Sequence, residues 1–241
     1  MVNLFLLPFL ISLRSTDQFI FEDSLFPYAF ENVLRYITDH FDEVDVQKVI
    51  LELRSLAVDQ SKTDSNVRII RTEKLECIED VTYNVRYWIK LDKKFTPMKT
   101  LQGLIWEEAY ERGDVKGHVY PDVLPVLEKL NVPIFIYSSG SVHAQKLLFS
   151  HSINGDMTKI ISGYFDTNIG LKGDSDSYLK ICKAIKMNPT DVLFLTDVEA
   201  EARAARISGL QSKIIVRNGN APLSDDAKRD FDAIELLDAI L

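Results

Sequence analysis

The chain has 241 residues, 46% hydrophobic and 27% charged, enough for a buried core in one domain with an insertion or in two small domains. Its 28 Lys and Arg stand against 36 Asp and Glu, a net charge of −8, which excludes a broad basic face for nucleic acid but not the local groups that hold a small phosphate. Cys77 and Cys182 show no CxxC spacing and read as reduced thiols, and the four histidines show no metal-ligand spacing.

The first segment, MVNLFLLPFLISLRS, has an apolar run of about ten residues, too short to span a bilayer. No Lys or Arg precedes it and no A-x-A site follows, so secretion is not expected. Pro8 lies in its middle and cannot donate to a central ladder, so a central strand is not expected here either. Residues 25–41 (LFPYAFENVLRYITDHF) and 44–60 (VDVQKVILELRSLAVDQ) alternate at helical spacing, with Pro27 in the first turn. A polar connector (59–72) leads to helices over 75–90 and 97–112, with Trp88, Leu101, Ile105 and Trp106 as core and Gly113 as the stop.

At about Gly117 the pattern changes. A helix in DVLPVLEKL precedes the strand VPIFIY. Helices in SVHAQKLLFS, DSDSYLKICKAIK and EAEARAARI then alternate with strands in KIISGYF, DVLFLT and SKIIVR. Strands alternating with helices predict an α/β fold with a parallel sheet, and the wholly apolar IFIY and VLFL suit strands buried on both faces.

Ligands of open parallel sheets bind beyond the carboxyl ends of the strands. That rule selects Ser138, Ser139 and Gly140 after one strand, and Thr196 and Asp197 after another. Ser138 can donate to a phosphate oxygen, and Gly140 with the following helix start offers backbone N–H groups. The alternative is plain capping by Ser139 or Ser141. Asp197, with Glu199 and Glu201 behind it, suits Mg²⁺, with an N-cap carboxylate as the alternative. Lys172, in GLKGDSDSY, gains meaning only beside the other two sites, since a lone loop lysine is usually solvated. No GxGxxG follows a strand, which leaves a dinucleotide-binding oxidoreductase as the weaker rival.

A hydroxyl after one strand, a lysine before a helix and an acid after the next strand follow the motif order of the haloacid-dehalogenase-like hydrolases. FIYSSGSVHAQKLLF, GYFDTNIGLKGDSDSY, LFLTDVEAEARAA and VRNGNAPLSDDAK resemble the enolase-phosphatases of methionine salvage. LFPYAFENV, VTYNVRYWIKLDKK and LQGLIWEEAYERGDVKGHVYPDV resemble that family's helical cap and its return to the core. The resemblance covers roughly residues 22–235. It implies a Rossmannoid parallel-sheet core (113–241), an inserted helical cap (25–112) and an atypical segment (1–24) where the family's nucleophile strand belongs. It also implies a Mg²⁺-dependent phosphatase with one ion per monomer, acting on 2,3-diketo-5-methylthiopentyl-1-phosphate by enolisation and then dephosphorylation. Ser138 and Ser139 would hold the phosphate, Lys172 would neutralise it, and Asp197 with Glu201 would hold the metal. Ser138, Lys172 and Asp197 are expected within about 8–10 Å of one another. A cytoplasmic monomer is implied, with the nucleus as a second compartment and no nucleic-acid or membrane partner.

The family opens with Asp-x-Glu-Gly-Thr, about 15 residues before LFPY. Counting back from Leu25 puts Leu10 and Ser12 at the positions of the nucleophile and the acid/base, with Arg14 following where the metal pocket belongs. Asp17, Glu22 and Asp23 do not restore the motif. The chain as written is therefore expected to be nearly inactive. Either a misassembled gene model or a pseudoenzyme acting as a phosphate-binding or scaffold protein accounts for the missing motif.

Overall fold

The structure is a computed structural model that describes residues 9–12 as backbone, and residues 25–218 and 220–241. Pro8, Arg14, Asp17, Glu22 and Asp23 lie outside the described residues, so the readings made on them have no structural counterpart. Two compact units emerge: β1 (Phe9–Ser12) with Lys116–Leu241 in one, and the helical stretch ending at Val115 in the other.

The helical unit holds α1 (Phe26–His40), α2 (Val44–Gln60), α3 (Lys74–Lys90) and α4 (Thr96–Arg112). In α1, Ala29, Val33, Tyr36 and Ile37 fall on one stripe and are buried. In α3 the same spacing buries Cys77, Val81, Val85 and Trp88. Pro27 sits at the start of α1, where its missing N–H costs nothing. Gly113 ends α4 in the left-handed region at φ 73°, as the sequence predicts. Two long-range contacts lock α1 to α4: Trp106 Nε1 donates to Leu25 O at 2.8 Å, and Arg35 Nη2 lies 2.7 Å from Glu108 Oε2.

The second unit is a six-stranded parallel sheet flanked by helices. In chain order its further elements are α5 (Val123–Leu127), β2 (Ile134–Tyr137), α6 (Val142–Ser150), β3 (Gly163–Phe165), α7 (Ser175–Ile185), β4 (Leu193–Thr196), α8 (Glu199–Ile207), β5 (Gln211–Ile215), α9 (Asp225–Asp230) and β6 (Ala233–Ile234). The strand order is β3-β2-β1-β4-β5-β6 and every pairing is parallel. All four residues of β4 are buried, which fits an inner strand covered on both faces. Behind it, Tyr178 stands edge-on to both Phe194 and Tyr137, with centroids 5.1 and 5.7 Å apart.

Three sequence expectations need correction. FLIS does form a strand, at the sheet's centre, with Leu10 opposite Phe135 on one side and Phe194 on the other. The ladder runs over Phe9–Ser12, four non-proline residues that can all donate, so the apolar run supplies a strand after all. The helix expected over DVLPVLEKL is only five residues long, Val123–Leu127. The short α9 and the two-residue β6 were not anticipated, because such brief elements show no period.

Among the described residues no helix is long and apolar enough to cross a membrane.

Candidate active site at the carboxyl ends of the strands

Strands β2 and β4 flank β1 and run parallel to it, so Ser138 and Asp197, one residue past each, lie at the same end of the sheet. Register places Ser12 opposite Tyr137 and Ile11 opposite Leu195, so β1 ends level with the residue before Ser138. No acid stands in Phe9–Ser12, and Leu10 and Ser12 both belong to this strand.

Ser138 is 7% exposed and its backbone N–H donates to Phe165 O at 3.1 Å, which fixes the turn against β3. Its Oγ accepts from Gly140 N at 3.1 Å and keeps its own proton for donation. Ser139 is exposed. The cap of α6 is Ser141, whose Oγ accepts from Ala144 N at 3.2 Å, so capping does not account for Ser138. The expected free N–H groups at this helix start are not free. Gly140 N serves Ser138, and Val142 N donates to Asp166 Oδ2 at 3.1 Å. Gln145 Nε2 clamps the turn from beneath, donating to Gly140 O and Phe165 O, both at 2.9 Å.

Lys172 is buried, contrary to the reading of a solvated loop lysine, and its Nζ lies 2.7 Å from Glu201 Oε1. The other Glu201 oxygen accepts from the Thr196 hydroxyl at 2.7 Å. Tyr178 OH donates to Lys172 O at 2.6 Å and lies 3.3 Å from Glu201 O, so one phenol holds both backbones. Burial, and then the Glu201 charge, push the Tyr178 phenol far above its ordinary value, so it stays a donor. Upstream, Tyr137 OH donates to Gly170 O at 2.8 Å and ties the Lys172 loop to β2.

Asp197 is not a helix cap: the N-cap of α8 is Val198, with no side-chain cap, and Val198 N donates to Thr196 Oγ1. Its Oδ2 accepts instead from Asn220 Nδ2 at 3.0 Å. Sequence reasoning singled out neither Asn220, Asp166 nor Gln145. Asp166 and Asn220 follow β3 and β5, so the strand-end rule applied to every strand would have reached them.

Among the described residues no three His, Cys, Asp or Glu side chains gather as a metal cage. Mg²⁺ does not need one, because one or two carboxylates with water and substrate phosphate commonly suffice. Asp197 stands one residue past β4, at the same end of the sheet as Ser138. One carboxylate that shares the ion with a substrate phosphate is a donor set that fits a sparsely held Mg²⁺. Glu201 is engaged by Lys172 on one oxygen and by the Thr196 hydroxyl on the other.

This core and its strand-end residues define a haloacid-dehalogenase-like hydrolase. The fold is shared with the putative HAD-hydrolase YfnB of Bacillus subtilis, a structure bound to magnesium, at 12% identity and TM-score 0.55 over 97% of this chain and 96% of that one. No family model matches the chain. The UTR4 protein of Saccharomyces cerevisiae aligns at 29% identity and TM-score 0.76, over 95% of this chain and 97% of that one. Enolase-phosphatase E1 of Caenorhabditis elegans is 63% identical over 223 residues, covering 91% of this chain and 90% of that protein. The chain belongs to the enolase-phosphatase E1 family.

Proposed function

We propose that this chain acts on 2,3-diketo-5-methylthiopentyl-1-phosphate, enolising the diketone and releasing the phosphate, as a cytoplasmic and nuclear monomer of methionine salvage. The observation that carries this reading is the 63% identity to an enolase-phosphatase over 223 residues. In this reading Ser138 and Ser139 donate hydroxyl protons to the phosphate oxygens. Lys172, whose ammonium is held by Glu201 at 2.7 Å, brings a positive charge to neutralise the phosphate. Asp197 holds Mg²⁺, and the ion, when bound, supplies positive charge to the phosphate oxygens.

The rate is a separate matter. The family's nucleophile and acid/base are carboxylates on the central strand, and this chain has Leu10 and Ser12 there. Neither can attack phosphorus as an anion or shuttle a proton at neutral pH. Losing acid–base catalysis alone costs roughly 10²–10⁴-fold, and losing the nucleophile costs more. We therefore propose binding with very slow turnover.

The test is phosphate release from the phosphorylated diketone with Mg²⁺, alongside calorimetric binding of inorganic phosphate. Binding without appreciable turnover is expected. Turnover on the order of 1–10³ s⁻¹ would overturn the slow-rate reading. Absence of phosphate binding, with no response to the Lys172→Met substitution, would overturn the site itself.

A further inference from the structure

We infer that Asn220 is a positioning residue that orients the Asp197 carboxylate toward the cation. The inference rests on the proposed role of Asp197 as the Mg²⁺ residue and adds a member to that site. Three contacts fix the amide. Asn220 Nδ2 donates to Asp197 Oδ2 at 3.0 Å. Asn220 Oδ1 accepts from the Arg217 backbone N–H, and the Asn220 N–H donates back to Arg217 O at 3.1 Å. An amide has one accepting end and one donating end. Because the accepting end is taken by a backbone N–H, only the donating end can face Asp197, and the side chain cannot flip without losing two bonds at once.

Arg217 is itself anchored. It is 8% exposed, its Nη2 lies 2.7 Å from Asp122 Oδ2, its Nη1 donates to Glu235 O at 2.8 Å, and its guanidinium lies over the Tyr120 ring at 4.4 Å. Asp122 Oδ2 also accepts from Leu237 N at 2.7 Å. The loop after β5 is thus pinned to residues 120–122 and to the chain after β6, and Asn220 stands three residues beyond the pin. Strands β4 and β5 are adjacent, with Thr196 opposite Ile214, so this loop runs beside Asp197. A donor on one carboxylate oxygen sets the plane of the group and directs the other oxygen. Outer-shell contacts of this kind are commonly worth 10–100-fold in metal affinity.

A merely structural role, closing the turn at Arg217, predicts a different outcome. Asn220→Ala removes both functions. Asn220→Ser keeps a short acceptor for the Arg217 N–H but cannot reach Asp197, so it separates them. The measurement is calorimetric titration of the full chain with MgCl₂ in the presence of inorganic phosphate, together with the metal-free melting curve. Both variants are expected to lose about 10-fold in Mg²⁺ affinity. Asn220→Ser should melt as the parent does, and phosphate affinity without Mg²⁺ should be unchanged. Variants that bind Mg²⁺ as the parent does, whatever their melting behaviour, overturn the inference and leave the proposed function standing. A parent chain that takes up no Mg²⁺ overturns the metal reading and this inference with it.

Discussion

Lys172 Nζ and Glu201 Oε1 meet at 2.7 Å, buried, and join the loop before α7 to the first turn of α8. The pair does two things at once. It holds a cation at the strand ends where a phosphate would sit, and it uses the carboxylate four residues after Asp197 to keep that cation in place. Such a pair is strongly coupled, because taking one partner away strands the other in a poorly solvated place. Lys172→Met should destabilise the chain by about 3–5 kcal/mol in urea denaturation. Lys172→Met with Glu201→Leu should recover a large part of that loss, because no charge is then left buried. Phosphate binding should be absent in both variants, which separates the charge needed for function from the charge tolerated by the fold.

The Lys172 loop is set by a backbone that only glycine fits well. Gly170 has φ 145°, and a Cβ there would run into Ser177 Oγ, which donates to Leu171 O at 2.8 Å. Gly170→Ala should therefore cost about 1–3 kcal/mol through overpacking and strain. It should also weaken phosphate binding, since Lys172 lies two residues on and Tyr137 OH grips the Gly170 carbonyl. A variant with unchanged melting temperature and phosphate affinity would show that the loop relaxes freely.

Ser138 and Ser141 of the SSGS turn divide the labour, and substitutions should show it. Ser141 caps α6, so Ser141→Ala should cost about 0.5–2 kcal/mol and leave phosphate affinity intact. Ser138 keeps its proton for a ligand while accepting from Gly140 N. Ser138→Ala should reduce phosphate affinity about 10-fold, the worth of one hydrogen bond to a charged group, with a smaller effect on melting. The reverse pattern would assign the phosphate to Ser141.

Much of this architecture could be read from residue order. The alternation after Gly117 predicts the parallel sheet, because IFIY and VLFL are apolar on both faces, as suits a doubly covered strand. The strand-end rule then reached Ser138 and Asp197. What it could not reach were relations set by packing. The Lys172–Glu201 pair spans 29 positions of sequence, and nothing local marks a loop lysine as buried. The misreading of FLIS came from weighting one proline against the whole apolar run, although none of the four ladder residues Phe9–Ser12 is a proline. The amide of Asn220 escaped notice because glycine and asparagine in NGN read from sequence as turn residues before they read as donors.

The helical unit carries its own pH response, and its sign follows from two groups. Glu108 is held at about 2, well below its ordinary 4.5, chiefly by the hydrogen bond from Arg35. A depressed acid contributes stability above its ordinary value and loses it as pH falls through the folded value. Stability should therefore decline between about pH 4.5 and pH 2. His40, stacked on Tyr36 with centroids 4.5 Å apart, is raised above 6.5, first by its hydrogen bond to Glu43 and further by Glu108. A raised base contributes below its ordinary value, so its share should fade as pH rises past 6.5. Both tryptophans, Trp88 and Trp106, lie in this unit, so fluorescence-detected denaturation of the whole chain reports on it directly. Arg35→Met should flatten the acid limb and cost about 1–2 kcal/mol near pH 7, a figure reduced for the pair's partial exposure. His40→Gln should flatten the alkaline limb and leave the acid one. An acid limb of unchanged steepness in Arg35→Met would mean that other carboxylates, and not Glu108, govern the loss.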